Sequence, residues 1–386
     1  MTWMAKASRI GLLGLLPWIP ARAQSTAAKW MSRASLPTAR AETGAARLGD
    51  KIYLACGFAG GLNPSKDAYA YTPGKNAWQT LASVPVALHH TAMAAAGGKL
   101  YVMGGVTYGR GGGPRLNTGA EWSGSTTALE YNPAGDQWRT VKALPHATAA
   151  AGVVSFGGKI YVIGGVDAEG VALDLVQEYT PATDAWAMRS PMPTKREHVG
   201  AAVLDSLIYI VSGRVGQTSL TKLEAYSPAS DKWYALKDMP TVRSDVGFAQ
   251  SGGKFYSMGG EKPGIFDLNE VYDPVGDSWK TSLKMTATRK AISAVAFEDT
   301  IFVFGGFSAG GSTNTVEAFV PPGGTASRLA TEKRPGRSGH RSGARAFSGP
   351  YFAEAFPGPL FDAIGRPGHF DPGSRLIPGR GVRFAR

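Results

Sequence analysis

Short apolar runs, each closed by a pair of small residues, recur along most of this chain. Between Pro193 and Trp233, the run Val199-Gly-Ala-Ala-Val-Leu204 is apolar throughout and stops at Asp205-Ser206. That pattern predicts an inner strand buried on both faces. Leu207-Ile-Tyr-Ile-Val211 is a second apolar run, ending at Ser212-Gly213. Lys222-Leu-Glu-Ala-Tyr226 alternates like a half-buried strand, and Ser227-Pro-Ala-Ser-Asp231 is a turn cluster. Trp233-Tyr-Ala-Leu236 supplies a fourth strand. Together they predict one small antiparallel sheet.

The unit repeats. Trp30, Trp78, Trp138, Trp186, Trp233 and Trp279 are spaced by 48, 60, 48, 47 and 46 residues. The small pairs keep the same beat: Cys56-Gly57, Gly104-Gly105, Gly164-Gly165, Ser212-Gly213, Gly259-Gly260 and Gly305-Gly306. A four-stranded sheet cannot bury both faces alone, but packed radially against copies of itself it can. The expectation is an all-β, six-bladed β-propeller over residues 24–320. No tryptophan follows Gly306, and Trp30 precedes the first small pair, so the N-terminal strand near Trp30 is expected to complete the last blade. An apolar strand ending in Gly-Gly, then Glu near Tyr, then Trp resembles the Kelch repeat across residues 30–320. The Glu near each aromatic is expected to make an internal hydrogen bond in every blade. Kelch propellers include adaptors, scaffolds and a few enzymes, so the resemblance implies a fold and leaves the activity open.

Charge changes the picture only at the ends. The chain carries +12 overall, of which +3 falls in residues 1–23 and +7 in 321–386. The near-neutral body argues against a specific nucleic-acid surface. Lys6 and Arg9 before an apolar run at 10–19, then Ala21-Arg22-Ala23, predict a cleaved signal peptide over residues 1–23. Export to a periplasmic or extracellular space, with no membrane span after cleavage, is the expected location. Residues 321–386, rich in Arg, Gly and Pro, leave the repeat and read as a disordered tail. The single cysteine, Cys56, excludes an intrachain disulfide and reads as a buried thiol in a glycine slot.

Scaffold residues repeat, so functional residues should break the repeat. Seventeen positions before the second residue of each small pair stand Arg40, Leu88, Thr148, Arg196, Arg243 and Arg289. Two further on stand Glu42, His90, Ala150, His198, Asp245 and Ala291. Arg40, Arg196, His198, Arg243, Asp245 and Arg289 are candidate ligand-binding residues at one mouth of the channel, suited to an acidic protein, peptide or glycan. A structural reading stays open beside it, in which the arginines tie the blades together. Blade two carries an insertion with Tyr108, Arg110, Arg115 and Trp122, which are sugar- or peptide-binding types on a loop.

Catalytic signals are sparse. No His/Cys/Asp spacing along the chain predicts a metal site, and no cofactor is expected. Cys56 and the tyrosines do not match the copper site of the Kelch-type radical oxidases. Gly259-Gly260-Glu261-Lys262-Pro263-Gly264-Ile265-Phe266 partly resembles the active-site stretch of N-acetylneuraminate epimerases, the sialic acid mutarotases. That resemblance implies Glu261 as acid/base, but Phe266 stands where the family has arginine, and Arg243 or Arg289 would have to supply the cation. Two functions are carried forward: an exported, non-catalytic binding module, and a sugar epimerase using Glu261.

Overall fold

The computed structural model describes residues 27–107 and 123–324. Residues 1–23, where a signal peptide is expected, nearly all of the segment 321–386, and Tyr108, Arg110, Arg115 and Trp122 lie outside these. Among the described residues there is no helix, and six four-stranded antiparallel sheets form. Blade one runs Gly44–Leu48, Lys51–Ala55, Ala68–Thr72 and Ala77–Thr80 from the inside out. The inner strands of blades two to six are Ala92–Ala96, Gly152–Phe156, Gly200–Leu204, Gly247–Ser251 and Ser293–Phe297. Each inner strand packs on the next, and the sixth packs on the first, so the array is a closed ring.

The closure follows the sequence expectation. Lys29–Ser32 pairs antiparallel with Val316–Val320, with Trp30 opposite Phe319. The sixth sheet therefore combines the two ends of the ring.

The repeated residues are cement between blades. Each tryptophan of the described blades lies against the aromatic of the adjoining strand, as Trp186 does on Tyr179 at 4.9 Å between ring centroids. Tyr71, Tyr131, Tyr179, Tyr226 and Tyr272 are fully buried, while the tryptophans are half-buried. Each indole N–H donates to a backbone carbonyl of the preceding blade: Trp138 to Ala82, Trp186 to Lys142, Trp233 to Ser190 and Trp279 to Lys237. The amide of that same residue donates to an aspartate held by the tyrosine, as Lys142 does to Asp184 and Ser190 to Asp231. One residue is thus gripped through both its N–H and its C=O, which satisfies backbone groups that an isolated blade would leave unpaired.

The small pairs are required by a close approach. A Cβ on Gly259 would lie 2.3 Å from the Arg289 carbonyl of the next blade, and one on Gly305 would lie 2.3 Å from that of Arg40. Both glycines have positive φ. Ser212 and Cys56 take the same conformation, with φ of 63° and 66°. Ser212 fits because its Oγ donates to the very carbonyl it approaches, that of Arg243. Cys56 is fully buried, and burial pushes its thiol up to about 12.

The recurrent glutamates separate into two kinds. Glu224, Glu270 and Glu317 stand two residues before the aromatic, and Glu130 and Glu178 stand one before it. Adjacent strand positions face opposite ways, so one uniform bond per blade does not form. Glu130 takes Arg139 and Tyr101, and Glu178 takes Arg189 and Lys159.

Candidate functional site

Three positions per blade converge where the chain enters the inner strand and where it leaves the small pair. Glu42, His90, Ala150, His198, Asp245 and Ala291 all have positive φ, between 51° and 60°. Their amides link them around the axis: Glu42 donates to Ala291, Ala291 to Asp245, Asp245 to His198, His198 to Ala150 and Ala150 to His90. Glu42, His90, His198 and Asp245 line a cavity of about 160 Å³ at this mouth. A second cavity of about 350 Å³ continues along the channel between inner-strand residues such as Met93, Val153 and Phe248.

The arginines two residues earlier are elsewhere. Arg40, Arg196, Arg243 and Arg289 are at most 1 % exposed and do not line the mouth cavity. Arg196 pairs with Glu224, Arg243 with Glu270, Arg289 with Glu317 and Arg40 with Asp67, each within its own blade. Each also donates to the carbonyl of the first residue of its small pair: Cys56, Ser212, Gly259 or Gly305. Their backbone carbonyls, not their guanidinium groups, reach the neighbouring blade, as Gly260 N–H to Arg289 O shows at 2.9 Å. The arginine-lined mouth is therefore corrected to a buried girdle of ion pairs. Of the expected cluster, His198 and Asp245 remain at the mouth.

The charges that do face the mouth come from two further positions in each blade. Glu197 and Lys290 precede the ring residues, and Arg214 and Glu261 follow the small pairs of blades four and five. Arg214 is the centre: its Nε lies 2.9 Å from Glu197, its Nη1 bonds Glu261, and its Nη2 lies 3.2 Å from His198 Nε2. Lys290 Nζ takes the other oxygen of Glu261. Glu197 also holds His198 Nδ1. Glu42 lies 3.1 Å from His90 Nε2 and 3.8 Å from His198 Nε2. The cation beside Glu261 is thus Arg214 with Lys290, not Arg243 or Arg289. Arg214 was legible as the one arginine in a column that otherwise reads Phe58, Val106, Val166, Glu261 and Phe307.

Burial and neighbours divide these groups. Burial, with the nearby carboxylates Glu42 and Glu261, raises Asp245 to about 8. Burial also raises Glu42, against the pull of His198 and Arg214. Burial works upward on Glu261 too, but Lys290 and Arg214 outweigh it and hold that carboxyl below its ordinary range. Glu197 is held down to about 2 by His198 and Arg214 despite its burial. Burial and the adjacent His198 depress His90. His198 is opposed by burial and Arg214, but Glu197 and Glu42 carry it upward.

The corresponding positions of blades one to three are largely apolar and buried. Val106, Ala149 and Val166 form one buried cluster, and Phe58 stacks on His89 at 4.2 Å. Val106 N–H bonds His89 O, and the chain returns at Gly124 opposite Val106. The blade-two insertion therefore leaves from, and comes back to, the rim of this site.

A family model for the Attractin/LZTR1 beta-propeller matches residues 52–316. The chain belongs to the Attractin/LZTR1 beta-propeller family. Among solved structures, one described as "Structure of YjhT" aligns at 16 % identity and a TM-score of 0.63, covering 73 % of this chain and 95 % of that one. At that identity the likeness is one of fold. No curated protein matches the chain. In all, 887 solved chains match, and an architecture so widely shared places the functional argument in the residues at the mouth.

Proposed function

We propose that this family member is an exported binding module. Its channel mouth takes a small hydroxyl-rich ligand, a free saccharide or the end of a glycan. The observation that carries the reading is the division of the mouth. One side carries hydrogen-bonding groups on Arg214, Glu197, Glu261, Lys290 and Asp245, and the other is backed by Phe58, Val106 and Val166, each at most 5 % exposed. A sugar has both kinds of surface, hydroxyl edges and C–H faces. The polar groups are recessed, with His90 and His198 only 4 % and 7 % exposed, which suits a small ligand better than a flat protein surface. Glutamates already neutralise the mouth cations, and the four buried arginines are out of reach of an acidic partner. Export rests on the sequence of residues 1–23.

The test is calorimetric titration of the full chain with a panel of neutral and acidic saccharides. Arg214→Met is expected to weaken the best ligand about tenfold to a hundredfold. The proposal fails if no saccharide shows saturable binding, or if Arg214→Met binds as the wild type does.

A sialic acid mutarotase-like activity is the second reading, favoured by one contact. Arg214 beside Glu261 supplies in space the Glu/Arg pair that Phe266 denies in sequence. Against it, both Glu261 oxygens are engaged, one by Arg214 and one by Lys290, which leaves a weak base. Anomer exchange of N-acetylneuraminate, followed by NMR with wild type and Glu261→Gln, separates the readings. Exchange at the uncatalysed rate in both variants removes the enzyme.

A further inference from the structure

The fold brings together three side chains that lie far apart in sequence. A carboxylate oxygen of Glu42 and one ring nitrogen each of His90 and His198 lie within 4.8 Å of one another. We propose that Glu42, His90 and His198 form a three-ligand site for a borderline divalent cation, zinc foremost, at the mouth of the channel. The inference stands apart from the saccharide reading, because its test measures the metal alone.

The spacing fits the ion. Tetrahedral zinc with bonds of about 2.0–2.2 Å holds its donors roughly 3.4 Å apart. Glu42 Oε1 stands 3.1 Å from His90 Nε2 and 3.8 Å from His198 Nε2, and all three donors lie within 4.8 Å of one another, so side-chain rotations that bring the two imidazoles together complete the set. Two imidazoles with one carboxylate are also the donor set that borderline dications prefer over magnesium or calcium.

The second layer orients the ligands. Glu197 binds His198 through Nδ1 and turns Nε2 toward Glu42. This carboxylate–histidine arrangement is the one that supports metal-bound imidazoles. Glu197 is fixed in turn by Arg214 Nε at 2.9 Å. His90 Nδ1 lies 2.6 Å from His89 Nδ1, so its Nε2 also faces Glu42. The amide chain around the mouth holds the backbones of all three ligands.

The surroundings suit a dication. Glu42, Glu197, Asp245 and Glu261 bring four carboxyl groups to the mouth, against the fixed cations of Arg214 and Lys290. Arg214 Nη2, 3.2 Å from His198 Nε2, competes for that nitrogen. The ion replaces that contact, while Nε and Nη1 keep the guanidinium on Glu197 and Glu261. Three protein ligands leave a coordination position for water or a ligand oxygen from the channel.

The site can be removed without rebuilding the fold. Ala150 and Ala291 already occupy the same register with φ of 52° and 55°, so alanine is compatible with the positions of His90 and His198. The experiment titrates zinc into untagged, chelator-stripped full-length chain by calorimetry, and cobalt by visible absorption. Wild type is expected to bind one zinc and to give the intense cobalt bands of a four-coordinate site. The double variant His90→Ala/His198→Ala should lose both while melting as a folded protein. Glu197→Gln should weaken zinc about 10–100-fold through loss of orientation, with the cobalt bands kept at saturation. Absence of stoichiometric uptake by the wild type, aqueous-like cobalt spectra, or full uptake by the double variant would each overturn the proposal.

Discussion

Trp30 stands directly across from Phe319 on the adjoining strand, with ring centroids 4.8 Å apart, and its indole N–H reaches the carbonyl of Leu283 in blade five. The first described strand therefore both completes the sixth sheet and fastens it to its neighbour. Deleting residues 24–37 should lower the melting temperature steeply, and Trp30→Ala should cost about 2–4 kcal/mol by denaturant titration. A truncated chain that melts with the full one would separate ring closure from stability.

The buried girdle yields a sharper expectation. Arg243 and Glu270 are at most 4 % exposed, and removing one leaves the other charged and unpaired. Arg243→Leu alone should cost about 3–5 kcal/mol. At the same two positions blade two carries Leu88 and Leu129, both buried in one apolar cluster. The double variant Arg243→Leu/Glu270→Leu should therefore recover most of the loss. If the double variant were as unstable as the single one, the pair would be doing more than filling its slot.

Those two residues also mark where the sequence was informative and where it was not. The tryptophan and small-pair beat revealed the blades, and the missing tryptophan after Gly306 revealed how they close. Both are periodic signals, and periodicity is what stacked sheets impose. Counting from the small pair located the mouth turn correctly but not the direction of its side chains. The backbone reverses there: the residue with positive φ stays at the axis, while the arginine two positions earlier folds back under its own blade. Glu42 and the two histidines come from three blades, so no local spacing could join them. Arg214, Glu197 and Lys290 sat in columns where a charge replaced Phe, Val or Ala, and that substitution was the available signal.

Cys56 offers a probe of opening. It is fully buried, its thiol is pushed up to about 12, and the equivalent place in blade four is held by Ser212. The native protein should resist alkylation by iodoacetamide at pH 8 and become reactive only as it unfolds. Cys56→Ser should fold and melt within about 1 kcal/mol of wild type, since Ser212 shows that a hydroxyl can occupy this slot. Rapid labelling under native conditions would show that blade one opens on its own, and quantitative mass spectrometry measures it.

Glu178 fixes the direction of one pH dependence. Burial pulls its carboxyl upward, but Arg189, Lys159 and Tyr161 prevail and hold it at about 2. A carboxyl whose folded value lies below its unfolded value stabilises the fold above the unfolded value. That contribution is complete above about pH 4.5 and is lost as pH falls toward about 2. Glu178→Gln should therefore be less stable than wild type at pH 6, and the gap should narrow as pH drops to 3. Urea titrations of both proteins at pH 6, 4 and 3 measure that gap directly. A difference that held constant across the series would mean the Arg189 and Lys159 contacts act through geometry alone, with no net preference for the ionised carboxyl.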